Sequence, residues 1–388
     1  MLDQLLEARF HHRRAGEIDA SLQALDEIGE ILHQWGEYRR LERLCRDALA
    51  QTAGGSHERA VLQHDLGMAA HARGDYDEAV HWYQESLETD EALGDRAAMA
   101  TSYHHLGNVA QIRGAYEEAR AWHEKSLKIY RELDDLPGVT AAYHHLGALA
   151  QELGAYEEAL DRYRVSLRIE EELDRPAGRA ASYHQLGFVA RLQGDPEGAL
   201  AWLRRAAEID EGSGNRAGLA KTYHQMGMAA EEQGNYDTAL SRYREALTTY
   251  EELEDRAGMA SVYHQMGILF HVRGASEPAR GYYRKSLAIE EDLENPRGMA
   301  SSLSQLGRLA TEQGDLEEGV RRSVRALLLQ LDLEAPEPED DLEQLDRQRR
   351  LLGEDRFTVI LEEELGNDER RKVLQRLEAP PNAGEEAP

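Results

Sequence analysis

The 388-residue chain is short of several things, and each shortage removes a class of protein. It has one cysteine, Cys45, so no disulfide forms within it, and the composition suits a reducing compartment. Aromatic residues make up only 6%, too few for one large compact core in a chain of this length. Positive charge is scarce: 45 Lys and Arg stand against 74 Asp and Glu, a formal net charge of -29. A nucleic-acid groove needs Lys and Arg to displace counterions from phosphates, and an anionic membrane attracts the same residues, so neither partner is expected. A basic protein or peptide would be attracted, although surplus acid also serves simply to keep a large surface soluble. No apolar run approaches the roughly 20 residues of a spanning helix. The opening stretch MLDQLLEARFHHRR lacks the basic-then-apolar order of a secretory signal, so the expected location is the cytoplasm.

Catalytic signatures are missing too. There is no phosphate-binding Gly-x-x-x-x-Gly-Lys-Ser/Thr loop, no Gly-x-Ser-x-Gly elbow and no His-Glu-x-x-His. Carboxylates abound, but runs such as Glu170-Glu171-Glu172 read as solvated helix faces, not acid–base pairs. His11-His12-Arg13-Arg14 reads as a solvated helix end. Pairs such as His264 and His271 lie seven residues apart, whereas zinc takes three or four closely placed ligands. The expectation is a chain that is not an enzyme and holds no cofactor or metal. Nothing in the sequence argues for a homo-oligomer.

What is present is a repeat. Gly67, Gly107, Gly147, Gly187, Gly227, Gly267 and Gly307 recur every 40 residues, and so do Gly74, Gly114, Gly154, Gly194, Gly234, Gly274 and Gly314. One unit reads AAYHHLGALAQELGAYEEALDRYRVSLRIEEELDRPAG over residues 141–178. The spacing predicts two helices. The first, about Ala141 to Glu152, has Tyr143, Leu146, Leu149 and Ala150 on one face and stops at Gly154. The second starts near Tyr156, carries Ala159, Tyr163, Ser166, Leu167, Ile169 and Leu173 inward, and ends at a turn cluster, Asp174-Arg175-Pro176-Ala177-Gly178. A mid-helix glycine such as Gly147 costs about 1 kcal/mol against Ala when exposed. Its recurrence therefore points to a close approach of the paired helix, helped by the small Ala159 and Ser166. One such pair cannot bury its apolar face alone, so successive pairs must stack.

The order aromatic, Leu-Gly, small residue, Gly-x-Tyr, Ala, aromatic, small residue resembles the tetratricopeptide repeat. Its 40-residue length is similar to the class found in kinesin light chains, Pins-type polarity adaptors and bacterial regulatory proteins. The resemblance implies an all-α fold, a right-handed α-solenoid of antiparallel helix pairs. Residues 60–332 hold seven units. Residues 1–59 hold an N-terminal helix and a degenerate unit marked by Gly29, Gly36, Tyr38, Leu41, Cys45 and Ala48. Pro196 and Ser276 replace the Tyr of Gly-x-Tyr, and Gly319 and Ser304 depart from the pattern in the last unit. Residues 333–341 read as an acidic, Pro-containing linker, 342–378 as a small helical appendage and 379–388 as a disordered tail. The appendage is open to three readings: a cap on the last unit, an occupant of the groove, or an element docked elsewhere.

In this family the first helix of each unit lines a concave groove, and the resemblance implies that a column of histidines faces it: His64, His104, His144, His184, His224 and His264. Four and seven residues further along come positions that vary between units, among them Asn108, Phe188, Met228 and Ile268, then Gln111, Gln151, Arg191 and His271. Asn108 stands where Pins-type adaptors use Asn to grip a peptide backbone, and most other units lack it. Together these residues read as a peptide-binding surface on an interaction scaffold. Equally open is the reading that the histidines only hydrogen-bond between neighbouring helices. The functional alternative to the scaffold is a ligand-sensing regulatory protein acting on a separate effector, with residues 342–378 as the moving part.

Overall fold

The computed structural model describes residues 2–15, 17–50, 52, 55–333 and 339–378, and every regular element among them is an α-helix. The chain divides into two compact units, residues 1–193 and 194–388. The first holds α1 (Leu2–Ala15), α2 (Ile18–Gln34), α3 (Tyr38–Leu49), α4 (His57–Ala72), α5 (Tyr76–Leu93), α6 (Arg96–Ile112), α7 (Tyr116–Glu132), α8 (Leu136–Glu152), α9 (Tyr156–Glu172) and α10 (Pro176–Leu192). The second holds α11 (Pro196–Ser213), α12 (Arg216–Glu232), α13 (Tyr236–Glu252), α14 (Arg256–Val272), α15 (Ser276–Asp292), α16 (Pro296–Glu312), α17 (Leu316–Asp332), α18 (Glu339–Leu352), α19 (Glu354–Glu364) and α20 (Asn367–Glu378). Within each unit the helices from α1 to α18 pack chiefly on their neighbours in sequence, as a stacked array of thin layers requires, whereas α19 and α20 both fold back onto α17. The expected tail, 379–388, lies outside the described residues.

Helix starts are set by a recurring cap. The side-chain oxygens of Asp95, Asp135, Asn215 and Asp255 accept from the backbone N–H three residues on, at 2.9–3.1 Å. Each such cap is worth about 1 kcal/mol. The turn between units is tighter than its composition suggests. Asp174 takes a left-handed φ of 48°, Arg175 is the cap position, and Pro176 already opens α10. Likewise α8 starts at Leu136, five residues before the expected Ala141. Proline's fixed φ and missing N–H suit a first helical turn, so Pro176-Ala177-Gly178 starts a helix instead of breaking one.

The mid-helix glycines seat a side chain more than a backbone. A Cβ on Gly147 would lie 2.8 Å from the Tyr163 ring, and one on Gly67 would lie 2.6 Å from Tyr83. Both tyrosines are wholly buried. In unit two Tyr243 and Tyr283 sit on Gly227 and Gly267 in the same way. Two units depart: Leu203 stands at the ring position on α11, and Ser323 replaces the ring on α17. There a Cβ on Gly307 would stand 3.1 Å from the Gly319 carbonyl oxygen, so the two backbones themselves approach.

That closer packing makes room for the appendage, which caps the last pair. Gln348 of α18 donates to Thr311 Oγ1 at 2.7 Å and Ser323 Oγ at 3.1 Å. Ser304, at the histidine position of its unit, bonds Asp341. Leu345, Phe357, Ile360, Leu361 and Val373 complete an apolar cluster with Val320, Val324 and Leu327 of α17. Helix α18 thus lies where a further unit would place its first helix, and it begins at Glu339, inside the stretch read as linker. Near the N-terminus, Cys45 is buried among Ile28, Leu32, Leu41 and Leu62 as a small apolar side chain.

Candidate functional site

The first helices place the histidine column at half-buried positions. In the first unit His64, His104, His144 and His184 sit on α4, α6, α8 and α10; in the second His224 and His264 sit on α12 and α14. Four of the six rings rest near the tyrosines that cover the glycines, with centroids 5.4 Å apart for His64 and Tyr83, and for His144 and Tyr163. The corresponding separation is 5.9 Å for His224 and Tyr243 and 5.6 Å for His264 and Tyr283. Some also bond the next layer. His144 Nε2 lies 3.0 Å from Ser182 Oγ, and His264 Nδ1 lies 3.4 Å from Ser302 Oγ. Burial pushes His64 and His144 down to about 4, and lowers His104 and His264, so these four rings are neutral at neutral pH.

The positions four and seven residues on share the half-buried face. Gln111 donates to Glu152 at 2.9 Å, and His271 Nε2 lies 2.6 Å from Glu312. The Arg191 guanidinium stands 5.3 Å from the Phe188 ring centroid. Met228 packs against the α12–α14 cluster, and Ile268 against the α15–α16 cluster. At these positions of α6 and α8 three shielded polar atoms have no hydrogen-bond partner: His104 Nδ1, Asn108 Oδ1 and Gln151 Oε1.

Sequence reasoning passed over a second set of imidazoles. His105 stacks on Tyr83 at 5.1 Å and meets His64 at 4.9 Å. His145 stacks on His123 at 5.0 Å and meets His104 edge-on at 4.5 Å. His123 replaces the buried tyrosine over its glycine, is itself wholly buried, and has neither ring nitrogen bonded. Burial, with neighbouring imidazoles adding to it, pushes His105 and His145 down to about 3 and His123 to about 4. The signal was available: the doublets His104-His105 and His144-His145, and a His at 123 where units carry Tyr at 83, 163, 243 and 283. Among the described residues no three His, Cys, Asp or Glu side chains are placed to hold a metal ion, and no helix is long and apolar enough to cross a membrane.

No curated protein sequence matches the chain significantly. Among solved structures, the apo form of the quorum sensor NprR from B. thuringiensis aligns with a TM-score of 0.65 at 11% identity, covering 84% of this chain and 97% of that one. BtubC (BKLC) from P. vanneervenii aligns at 0.51 with 22% identity over 58% of this chain and 94% of its own. A Rap protein complexed with competence and sporulation factor aligns at 0.50 with 17% identity over 82% and 99%. At these identities the likeness speaks to the fold. The tetratricopeptide-repeat profile matches residues 7–92, 98–172, 178–252 and 218–292, well over half of the chain. With its helix pairs, seated rings and repeated caps, the chain belongs to the tetratricopeptide-repeat family.

Proposed function

We propose that the half-buried face of the first helices binds an extended peptide or protein segment, and that the protein is a non-catalytic adaptor in a bacterial cytoplasm. The observation that carries this reading is a group of unbonded atoms at these positions of α6 and α8: Asn108 Oδ1, Gln151 Oε1 and His104 Nδ1. Shielded polar atoms normally find partners, and an unmade bond costs about 1–3 kcal/mol. A peptide backbone brings N–H donors of the kind the two amide oxygens lack. In the first unit His64, His144, His184, Gln111, Phe188 and Arg191 belong to this reading as the rest of the binding face, and in the second unit His224, Met228, His264, Ile268 and His271 form the corresponding face of that unit. The net charge of -29 favours a basic segment.

The test is a peptide array probed with the intact protein beside an Asn108→Ala, Gln151→Ala double variant. Those side-chain atoms have no partner to lose, so the variant should melt like the parent. Peptides held by the intact chain should bind the variant at least tenfold more weakly. Equal binding by both, or no peptide bound by either, overturns the reading. The second reading, a ligand-sensing regulator, is favoured by the fold-level likeness to the quorum sensor NprR and the Rap protein complexed with competence and sporulation factor. A radius of gyration that changes at saturating peptide would support it, and unchanged dimensions would favour the adaptor.

A further inference from the structure

An open cavity of about 200 Å³ lies between α4, α5 and α6 in the first unit. Ala60, Val61 and Ala98 give it an apolar wall, while Ser86, Asp90 and Ser102 give it a polar one. Asp90 and Ser102 are each only 1% exposed. Ser86 Oγ donates to Ala60 O at 2.9 Å and stands 3.4 Å from Asp90 Oδ2. Asp90 Oδ1 and Ser102 Oγ have no partner at all. No Lys or Arg lines the cavity. His57 and His64 are part of the lining. Burial, with the nearby Asp95 adding to it, pushes the Asp90 carboxyl up to about 6, against the opposing pull of Ser86 and the exposed His57.

The repeat itself shows what is missing. At the position of Asp90, three later units carry an acid, Glu170, Asp210 and Glu290, each with a partner five residues on, and the other three carry Tyr130, Tyr250 and Gln330. Arg175 Nε lies 3.3 Å from Glu170, Asn215 donates to Asp210 at 2.8 Å, and Asn295 donates to Glu290 at 2.6 Å. Five residues beyond Asp90 stands another acid, Asp95. A buried carboxylate whose Oδ1 has no donor and whose Oδ2 has only the long Ser86 contact is costly, so its chemistry calls for a cation from outside the chain.

We propose that this cavity is a recognition pocket for one primary ammonium group on a short alkyl stem. Asp90 is its counter-ion. Asp90 Oδ1, Ser102 Oγ and the free lone pair of Ser86 Oγ match the three N–H donors of an ammonium. Ala60, Val61 and Ala98 pack the stem. The amine is either the side chain of a lysine in a bound segment or a free small amine. Only the lysine source rests on the peptide-binding reading above.

The first probe is n-butylammonium chloride, with n-butanol as the neutral isostere and sodium chloride as the ionic-strength control, followed by amide chemical shifts of the full chain. Saturable shifts at Ala98 and Ser102 with n-butylammonium alone are expected. Asp90→Asn should weaken binding at least tenfold and melt no lower than the parent, because it removes an uncompensated charge. Ser102→Ala should weaken it several-fold without touching charge, and it decides the matter if the Asp90 variant misfolds. No shift at Ala98 and Ser102, or equal affinity in parent and variants, overturns the proposal. N-acetyl-lysine methylamide binding more tightly than n-butylammonium identifies a lysine as the source, and putrescine binding more tightly than either identifies a free amine. Butylammonium binding in a protein that holds no peptide leaves the pocket standing and removes the peptide reading.

Discussion

Acid should unfold the first unit through its imidazoles, and the size of the effect follows from their burial. His64, His123 and His144 are held down to about 4, and His105 and His145 to about 3, against an ordinary 6.5. The native rings bind fewer protons than the unfolded ones. Their contribution is therefore complete above pH 6.5 and is lost as pH falls from 6.5 towards 4 and 3. At pH 5 the unfolded rings are almost all charged and the native ones are not, which costs about 2 kcal/mol per ring. Five rings set a ceiling near ~10 kcal/mol, comparable to the whole stability of a domain. Asp90 opposes this: its raised native pKa, about 6, makes it bind the proton more readily when folded, returning about 1 kcal/mol at pH 5. The assay is urea unfolding followed by circular dichroism at pH 7.5, 6.5, 5.5 and 5.0. The repeat supplies the control, because Gln stands at 185, 225, 265 and 305 where His105 and His145 stand, and Tyr at 83 and 163 where His123 stands. The variant His105→Gln, His123→Tyr, His145→Gln should flatten the acid limb by more than half. An intact protein equally stable at pH 7.5 and 5.0, or a variant with the parent's pH slope, refutes the reasoning.

Three further outcomes are expected. Gly147→Ala drives a methyl into the Tyr163 ring, 2.8 Å away, and should cost about 1–3 kcal/mol in thermal or urea melts. Glu294→Gly relieves a non-glycine residue held at φ 51°, where two other units already carry Gly94 and Gly214, and should raise stability by about 0.5–1 kcal/mol in the same melts. Phe357→Ala empties the centre of the C-terminal cap, where the ring is fully buried, and should cost about 3–5 kcal/mol and expose α17 to limited proteolysis.

The repeat, its helix pairs and its family were legible in the residues, because a 40-residue period of Gly, aromatic and small positions is a one-dimensional pattern. The histidine column and the variable positions beside it were legible as a shared helix face for the same reason. Boundaries were read less well. Pro176 and Gly178 look like turn residues in composition, yet the short αL turn at Asp174 hands the chain straight into α10.

What the sequence by itself determined is which residues recur and therefore share a face, since helical spacing alone places them. Tertiary structure decided what those faces touch. It set the Tyr163 ring over Gly147, where the period suggested only helix approach. It joined His105 to His64 and His145 to His123 across separate helices, contacts with no signature in local spacing. It resolved the appendage as a cap, because Gly307, Gly319 and Ser323 open the space that Gln348 enters. It also left Asp90 in a cavity with only Ser86 beside its carboxylate while Glu170, Asp210 and Glu290 found partners five residues on, a difference that depends on which side chains converge in space.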